Sequence, residues 1–254
     1  MRAPLLLAGL MMISAPSIAG NTCTASGGAT VPPIVELYTS EGCDSCPPAD
    51  RWLGTLKELA ARGSVLPLAF HIDYWDYLGW KDPFADAAFG ARQRERASEA
   101  GAKVVYTPQV IYDNREFQDW RKTAAMKLPL QPAKPARADL RVNVSNDGQA
   151  LRLDVAGRAK PGTRAGNAYV ALYENGLASD VKAGENRGVT LHHDFVVRRW
   201  LGPFPFSGNA IELSQSIAPA KGMKLDRSGI AVIASDDNGA VIQAVALSLR
   251  DCAG

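Results

Sequence analysis

Apolar residues crowd into two short runs early in the chain, Val31–Tyr38 (VPPIVELY) and Val65–Ile72 (VLPLAFHI). The first is rich in β-branched residues and both are nearly continuous, which suits buried strands. Between them Trp52, Leu53, Leu56 and Leu59 recur at helical spacing, after Pro47-Pro48 and before Gly63. Proline is tolerated in a first helical turn, where its missing N–H would have no partner. Strand, helix and strand in such short succession predict a parallel βαβ unit with a right-handed crossover. The pattern next predicts a helix over Phe84–Ala100, a strand at Gln109–Tyr112, a turn at Asp113-Asn114 and a helix over Glu116–Lys127.

Residues 20–30 are small and polar and read as a lead-in. Leu128–Ala138 holds Pro129, Pro132 and Pro135 without periodicity and is predicted as a linker. Beyond it the period changes to two, at Leu140–Val144, Leu151–Val155, Ala168–Tyr173, Val189–Val197, Ala210–Leu213, Ile230–Ala234 and Val241–Leu249. Seven short strands parted by polar turns such as Asn146-Asp147-Gly148 are the signature of a β-sandwich. The expected organisation is an α/β domain over 31–127, a linker over 128–138 and an all-β sandwich over 139–252.

The first residues change where such a protein is expected to work. Arg2, the apolar run Leu5–Ile13, and small residues at Ser17 and Ala19 have the layout of a signal peptide spanning residues 1–19. An uncleaved N-terminal anchor is the alternative. The run is shorter than the roughly 20 apolar residues that span a bilayer, so the mature protein is expected to be periplasmic or secreted, with no membrane span. Net charge is +2, from 28 basic and 26 acidic residues. The basic residues are scattered, which excludes a nucleic-acid footprint. Short clusters, Arg92, Arg94 and Arg96, and Arg198 and Arg199, read as solvated faces.

Four cysteines remain in the mature chain: Cys23, Cys43, Cys46 and Cys252. An even number in an oxidising compartment suggests disulfides, with three pairings open. The preferred pairing joins Cys23 to Cys252 as a terminal staple and leaves Cys43 and Cys46 as a functional dithiol. The central pair follows a strand and opens a helix. There the positive end of the helix dipole and its free N–H groups favour an anionic sulfur. An exposed Cys43 would attack a disulfide, and Cys46, one turn on, would resolve the mixed disulfide. Zinc also uses this spacing but needs further ligands, and His71, His192 and His193 do not supply a second ligand pair. A permanent structural disulfide is the other reading.

The segment LYTSEGCDSC resembles the strand–turn–helix start of thioredoxins and glutaredoxins, and VVYTPQVIY resembles the loop in which their cis-proline faces the dithiol. An ordinary trans proline is the alternative. More narrowly, YTSEGCDSCPPAD, HIDYWDYLGWKDPFA, the YTPQ loop and GENRGVTLHHDFVVR resemble the DUF1223 family, from about Val31 to the last strand. The resemblance implies a thioredoxin-like α/β fold, export and a dithiol, beside the β-sandwich read from the strand pattern; it implies no substrate. Cys43 and Cys46 are then the candidate catalytic residues, with Thr107, Pro108, Asp44, Ser45 and Trp75 bordering the substrate. Gly42 stands where thioredoxins carry Trp, and Asp44-Ser45 replace their Gly-Pro. Negative charge on Glu41 and Asp44 opposes thiolate formation, so the pair leans toward reductase or isomerase. The long interval from Cys43 to Pro108 implies a helical insertion that covers the site.

His71, Asp73, Tyr74, Trp75 and Asp76 follow the second strand and read as an aromatic plug between domains, or as a wall of the dithiol pocket. His192 and His193 sit in a strand and point to opposite faces, so a surface or interdomain role is expected rather than joint chelation. Glu185-Asn186-Arg187-Gly188 reads as a turn whose charges tie it to the neighbouring domain. No phosphate loop or serine elbow is present, and no cofactor is expected. The resulting expectation is an exported thiol–disulfide oxidoreductase acting on a protein or small thiol or disulfide. Its rivals are a non-catalytic adaptor with a structural Cys43–Cys46 disulfide and a Cu(I)-binding protein that uses both soft thiolates.

Overall fold

The computed structural model of the chain describes residues 22–124, 127–129 and 133–252. The expected signal peptide, residues 1–19, lies outside the described residues, as do 125–126 of the expected last helix and 130–132 of the expected linker. In chain order the first strands are β1 (Thr22–Ser26), β2 (Thr30–Val31), β3 (Ile34–Thr39), β4 (Leu66–His71) and β5 (Gln109–Tyr112). Then come β6 (Arg115–Glu116), β7 (Lys134–Pro135), β8 (Ala138–Asn146), β9 (Leu151–Ala159) and β10 (Ala165–Glu174). The last are β11 (Leu177–Asp180), β12 (Thr190–His193), β13 (Val196–Pro205), β14 (Ala210–Ile217), β15 (Ser228–Asp236) and β16 (Val241–Ser248). The α-helices among the described residues are α1 (Pro47–Gly54), α2 (Lys57–Ala61) and α3 (Ala87–Glu99).

Strands β3 and β4 are buried at every position, as continuous apolar runs require. They pair in parallel from Ile34 opposite Leu66 to Thr39 opposite His71, with α1 and α2 in the crossover. The single helix expected here breaks at Thr55, whose hydroxyl donates to the Trp52 carbonyl at 2.6 Å and competes with the helical ladder. Strand β5 joins β3 on its other side, antiparallel. It turns into β6 through Asp113 and Asn114, both left-handed at φ 49 and 65, as a two-residue hairpin needs. The helix expected over Glu116–Lys127 is absent from its described part, where β6 and a 3-10 turn at Gln118–Lys122 stand instead. Tertiary contacts override the weak periodicity. The Phe117 and Trp120 rings each lie 6.1 Å from Trp52, whose indole N–H donates to the Thr123 carbonyl at 2.8 Å.

Two sheets carry the molecule. One is four-stranded and antiparallel, in the order β1-β8-β9-β14; the other is eight-stranded, in the order β16-β15-β10-β13-β4-β3-β5-β6. Their facing sides bury Val142, Val144, Leu153 and Val155 against Val170, Leu172, Ile230 and Val232. The layers are a sandwich, but not a separate one. Strand β13 lies parallel to β4, with Val196 opposite Ala69, and the Ala69 N–H donates to the Phe195 carbonyl at 2.8 Å. One sheet therefore runs through both expected domains. The expected linker is partly a strap: β7 pairs with β2, and Ala136 and Ala138 are buried. The lead-in is also corrected, because Thr22–Ser26 forms β1 as an edge strand on β8.

The region read as seven strands holds nine among the described residues. Val189–Val197 is split at Phe195, which has φ 58, and β11, missed in the sequence, pairs with β12. The arginine clusters are corrected too. Arg92 and Arg96 of α3 turn inward onto Glu36 of β3, at 2.8 and 3.3 Å, and only Arg94 of the three is exposed. Tyr38 donates to Glu36 at 2.5 Å, and Arg92 stacks 4.0 Å above the Trp200 ring. Arg198 pairs with the buried Glu174, while Arg199 stays exposed.

Burial alone would raise the Glu36 carboxyl, but attraction to Arg92 and Arg96 outweighs it and holds its pKa below the ordinary 4.5. A depressed carboxylate stabilises the fold above its unfolded pKa, and that contribution is lost as pH falls through the folded value. Glu36→Gln should cost about 3 kcal/mol at pH 7, because Arg92 loses its carboxylate and Arg96 keeps only the part-exposed Glu99. The gap in Tm between wild type and variant should close as pH drops below 4.5; a constant gap would mean that the pair carries no such linkage. Cys23 and Cys252 form a disulfide across a sequence separation of 229. Cys23→Ser/Cys252→Ser should lose about 3 kcal/mol in a denaturant titration, because the unfolded chain is released from a long loop.

Candidate functional site

Strand β3 ends at Thr39 and leads through a buried turn at Ser40-Glu41-Gly42 into Cys43, and Cys46 caps the N-terminus of α1. Cys43 and Cys46 are joined as a disulfide with their Cα atoms 5.5 Å apart. The Cys43 sulfur lies 3.4 Å from the Ser45 hydroxyl, which can donate to it. Ser45, Thr107 and Pro108 line one open groove of about 500 Å³, and the Thr107-Pro108 peptide bond is cis. Trp75 links the two sides: its indole N–H donates to the Thr107 hydroxyl at 2.7 Å, and its Cβ packs against Gly42. A side chain at position 42 would begin 3.0 Å from that Cβ, so glycine is what lets Trp75 approach. Cys43, Cys46, Asp44, Ser45, Trp75, Thr107 and Pro108 thus meet in one place, while Cys23–Cys252 lies away at the sandwich.

Three sequence expectations change here. Cys43 was expected to be exposed, yet it is 1% accessible and Cys46 is 0%. The segment before β12 is bonded to this turn. Asn186 donates to the carbonyls of Glu41 and Cys43, both at 2.9 Å, and the Asp44 N–H donates to the Glu185 carboxylate at 3.0 Å. The helix start was expected to offer free N–H groups to sulfur. Pro47 and Pro48 remove two of them, and the Cys46 N–H is already bonded to the Cys43 carbonyl. Glu41 was expected to repel a thiolate. Its carboxylate is instead engaged away from Cys43, with the Trp80 indole at 2.7 Å and His193 at 3.1 Å.

Beneath the dithiol lies a buried polar cluster drawn from four parts of the chain. His193 of β12 sits between Asp50 of α1, at 3.3 Å from Nδ1, and Glu41, at 3.1 Å from Nε2. Burial would favour the neutral imidazole, but hydrogen bonds and charge attraction from Asp50 and Glu41 reverse this and raise its pKa to about 10. His71, at the end of β4, contacts the Asp82 carboxylate through Nδ1 at 2.7 Å, and Asp82 also accepts the Glu41 N–H at 2.9 Å. Thr39 donates to Asp50 at 2.8 Å. His192 is exposed and His193 buried, so alternation along the strand holds, and the interdomain reading applies to His193 alone. Asp50 and Asp82 were missed. Asp50 had a signal, since it lies four residues after Cys46, one helical turn on along α1; Asp82 had none.

Comparison with known proteins agrees with this arrangement at the level of the fold. The structure superposes on that of protein AGR_C_4864 from Agrobacterium tumefaciens with a TM-score of 0.57 and 27% identity, covering 86% of this chain and 94% of that one. It also resembles HBP35 of Porphyromonas gingivalis, with a TM-score of 0.61 and 12% identity over 87% of this chain and 76% of that one. The second likeness speaks for the fold alone. No curated protein matches the chain. A family model described as a protein of unknown function, DUF1223, matches residues 34–234. With that match spanning both halves of the eight-stranded sheet, the chain belongs to the DUF1223 family.

Proposed function

We propose that the protein is an exported thiol–disulfide exchange protein, with Cys43–Cys46 as its dithiol on a thioredoxin-like unit of β3, α1, β4 and β5. The observation that carries this reading is a C-x-x-C disulfide at a helix start whose intervening Ser45 lines one groove with the cis Thr107-Pro108 bond. In the exchange, a partner dithiol reduces Cys43–Cys46 and is itself oxidised. The Cys43 thiolate then attacks a substrate disulfide, forming a mixed disulfide and releasing one substrate thiolate. Cys46 attacks the Cys43 sulfur, reforms the internal disulfide and releases the second. Thr107 and Pro108 border the groove where a substrate main chain can align. Export is supported by two disulfides, which persist in oxidising compartments, and by the signal-peptide layout of residues 1–19. No helix among the described residues is long and apolar enough to cross a membrane.

Burial of both sulfurs makes the exchange gated. Three hydrogen bonds to Glu185 and Asn186 hold the segment before β12. At about 1 kcal/mol each they make an open state rarer by roughly two orders of magnitude. The same burial favours a second reading, a permanent disulfide in a binding protein. Asn186→Ala removes two of the three bonds and should speed reduction of the disulfide by a small dithiol about thirtyfold, read as thiol release over time; an unchanged rate means that this segment is not the gate. Cys46→Ser expressed with its export signal should accumulate mixed disulfides on Cys43, visible as adducts on a non-reducing gel. No adduct, together with a potential below about −300 mV, selects the structural disulfide.

A further inference from the structure

We propose that Asp50, His71 and His193 form a buried site for one divalent transition-metal ion, zinc being the type, set between the dithiol helix and the ends of β4 and β12. One ligand atom from each residue lies within 4.8 Å of the other two. His193 Nδ1 and Asp50 Oδ1 are 3.3 Å apart, the spacing of two ligands that each sit about 2.0–2.1 Å from a tetrahedral zinc ion. The two imidazole rings stand nearly perpendicular, at 84°, with centroids 4.8 Å apart. All three residues are buried, at 6% exposure for Asp50, 0% for His71 and 2% for His193.

The second observation is an orphan. His71 Nε2 is buried and has no hydrogen-bond partner. Asp82 contacts Nδ1 of the same ring at 2.7 Å and so fixes the ring proton there, which leaves a lone pair on Nε2. An unsatisfied buried nitrogen costs about 1–3 kcal/mol, and a metal ion supplies what it lacks. The surroundings are also those of a metal centre, in which each ligand is oriented by an outer partner. Asp82 serves His71, Glu41 serves His193 through Nε2, and the Thr39 hydroxyl serves Asp50.

Charge points the same way. Glu41, Asp50 and Asp82 place three carboxylates in one buried cluster. Among the described residues none of them pairs with a lysine or arginine; only the two histidines face them. A divalent cation offsets that excess, and it replaces the proton that His193 shares with Asp50. Two imidazole nitrogens and a carboxylate oxygen select a borderline ion over Cu(I), which prefers the sulfurs. The ion would join α1, β4 and β12 in one clamp. This site does not depend on the exchange reading, because neither cysteine is a ligand.

The test uses the full mature chain with its disulfides intact. It is unfolded in denaturant with chelator, refolded with Zn²⁺ and passed through gel filtration, and its metal content is measured. The expected result is one zinc per chain in wild type, in His192→Ala and in Cys43→Ser/Cys46→Ser, with at least a tenfold loss in His193→Gln and Asp50→Asn. Where those two variants fail to fold, refolding wild type with Co²⁺ decides. Tetrahedral d–d bands without a thiolate charge-transfer band support the site. A natively folded wild type that retains no zinc overturns it, and so does a thiolate band, or loss of the ion in the folded Cys43→Ser/Cys46→Ser variant.

Discussion

Strand β4 is buried on both faces and at every position, so the hydrogen-bonding edge that it turns away from β3 cannot be left to water. Strand β13 satisfies it. The contact is short, with Val196 opposite Ala69 and the Phe195 carbonyl on the Ala69 N–H, yet the rest of the arrangement hangs on it. It fuses an N-terminal βαβ unit to the C-terminal strands in one eight-stranded sheet. Phe195, left-handed at φ 58, makes the corner from β12 into β13 and brings the preceding segment over α1.

From that corner the surroundings of the Cys43–Cys46 disulfide follow. The segment that reaches the corner carries Glu185 and Asn186 across Cys43, and β12 carries His193 beneath it. The environment of Cys43 is therefore set less by the residues between the two cysteines than by residues more than a hundred positions later. Asp44 and Ser45, the residues by which this motif departs from thioredoxins, are exposed. Glu41, which looks like a free negative charge in the sequence, is an acceptor for Trp80 and His193 inside the protein.

Legibility along the chain tracked the range of the interactions involved. β5 coincides with the strand read from QVIY, and β3 and β4 fall inside the two apolar runs, because a buried strand leaves its mark in consecutive residues. Thr107-Pro108 and Cys43–Cys46 were legible through their local motifs. The helix expected after Glu116 was not, because the Trp52 ring and indole, far away in sequence, hold Phe117, Trp120 and Thr123 in another shape. Arg92 and Arg96 looked like solvent-facing charges for a similar reason. Their partner Glu36 is hidden in an apolar strand where no periodicity marks it.

By itself, then, the sequence determined the strand–helix–strand start, the cysteine pair at the opening of α1, the proline loop and the alternating strands after it. Each of these is written in a period or a motif a few residues long. Only the tertiary structure decided that the two halves share a sheet, that Cys43 is covered, and that Asp50, His71 and His193 converge below it. Those facts depend on which strand edge pairs with which and on where buried charges find their partners. Such choices are made between residues distant in sequence, and no local pattern records them.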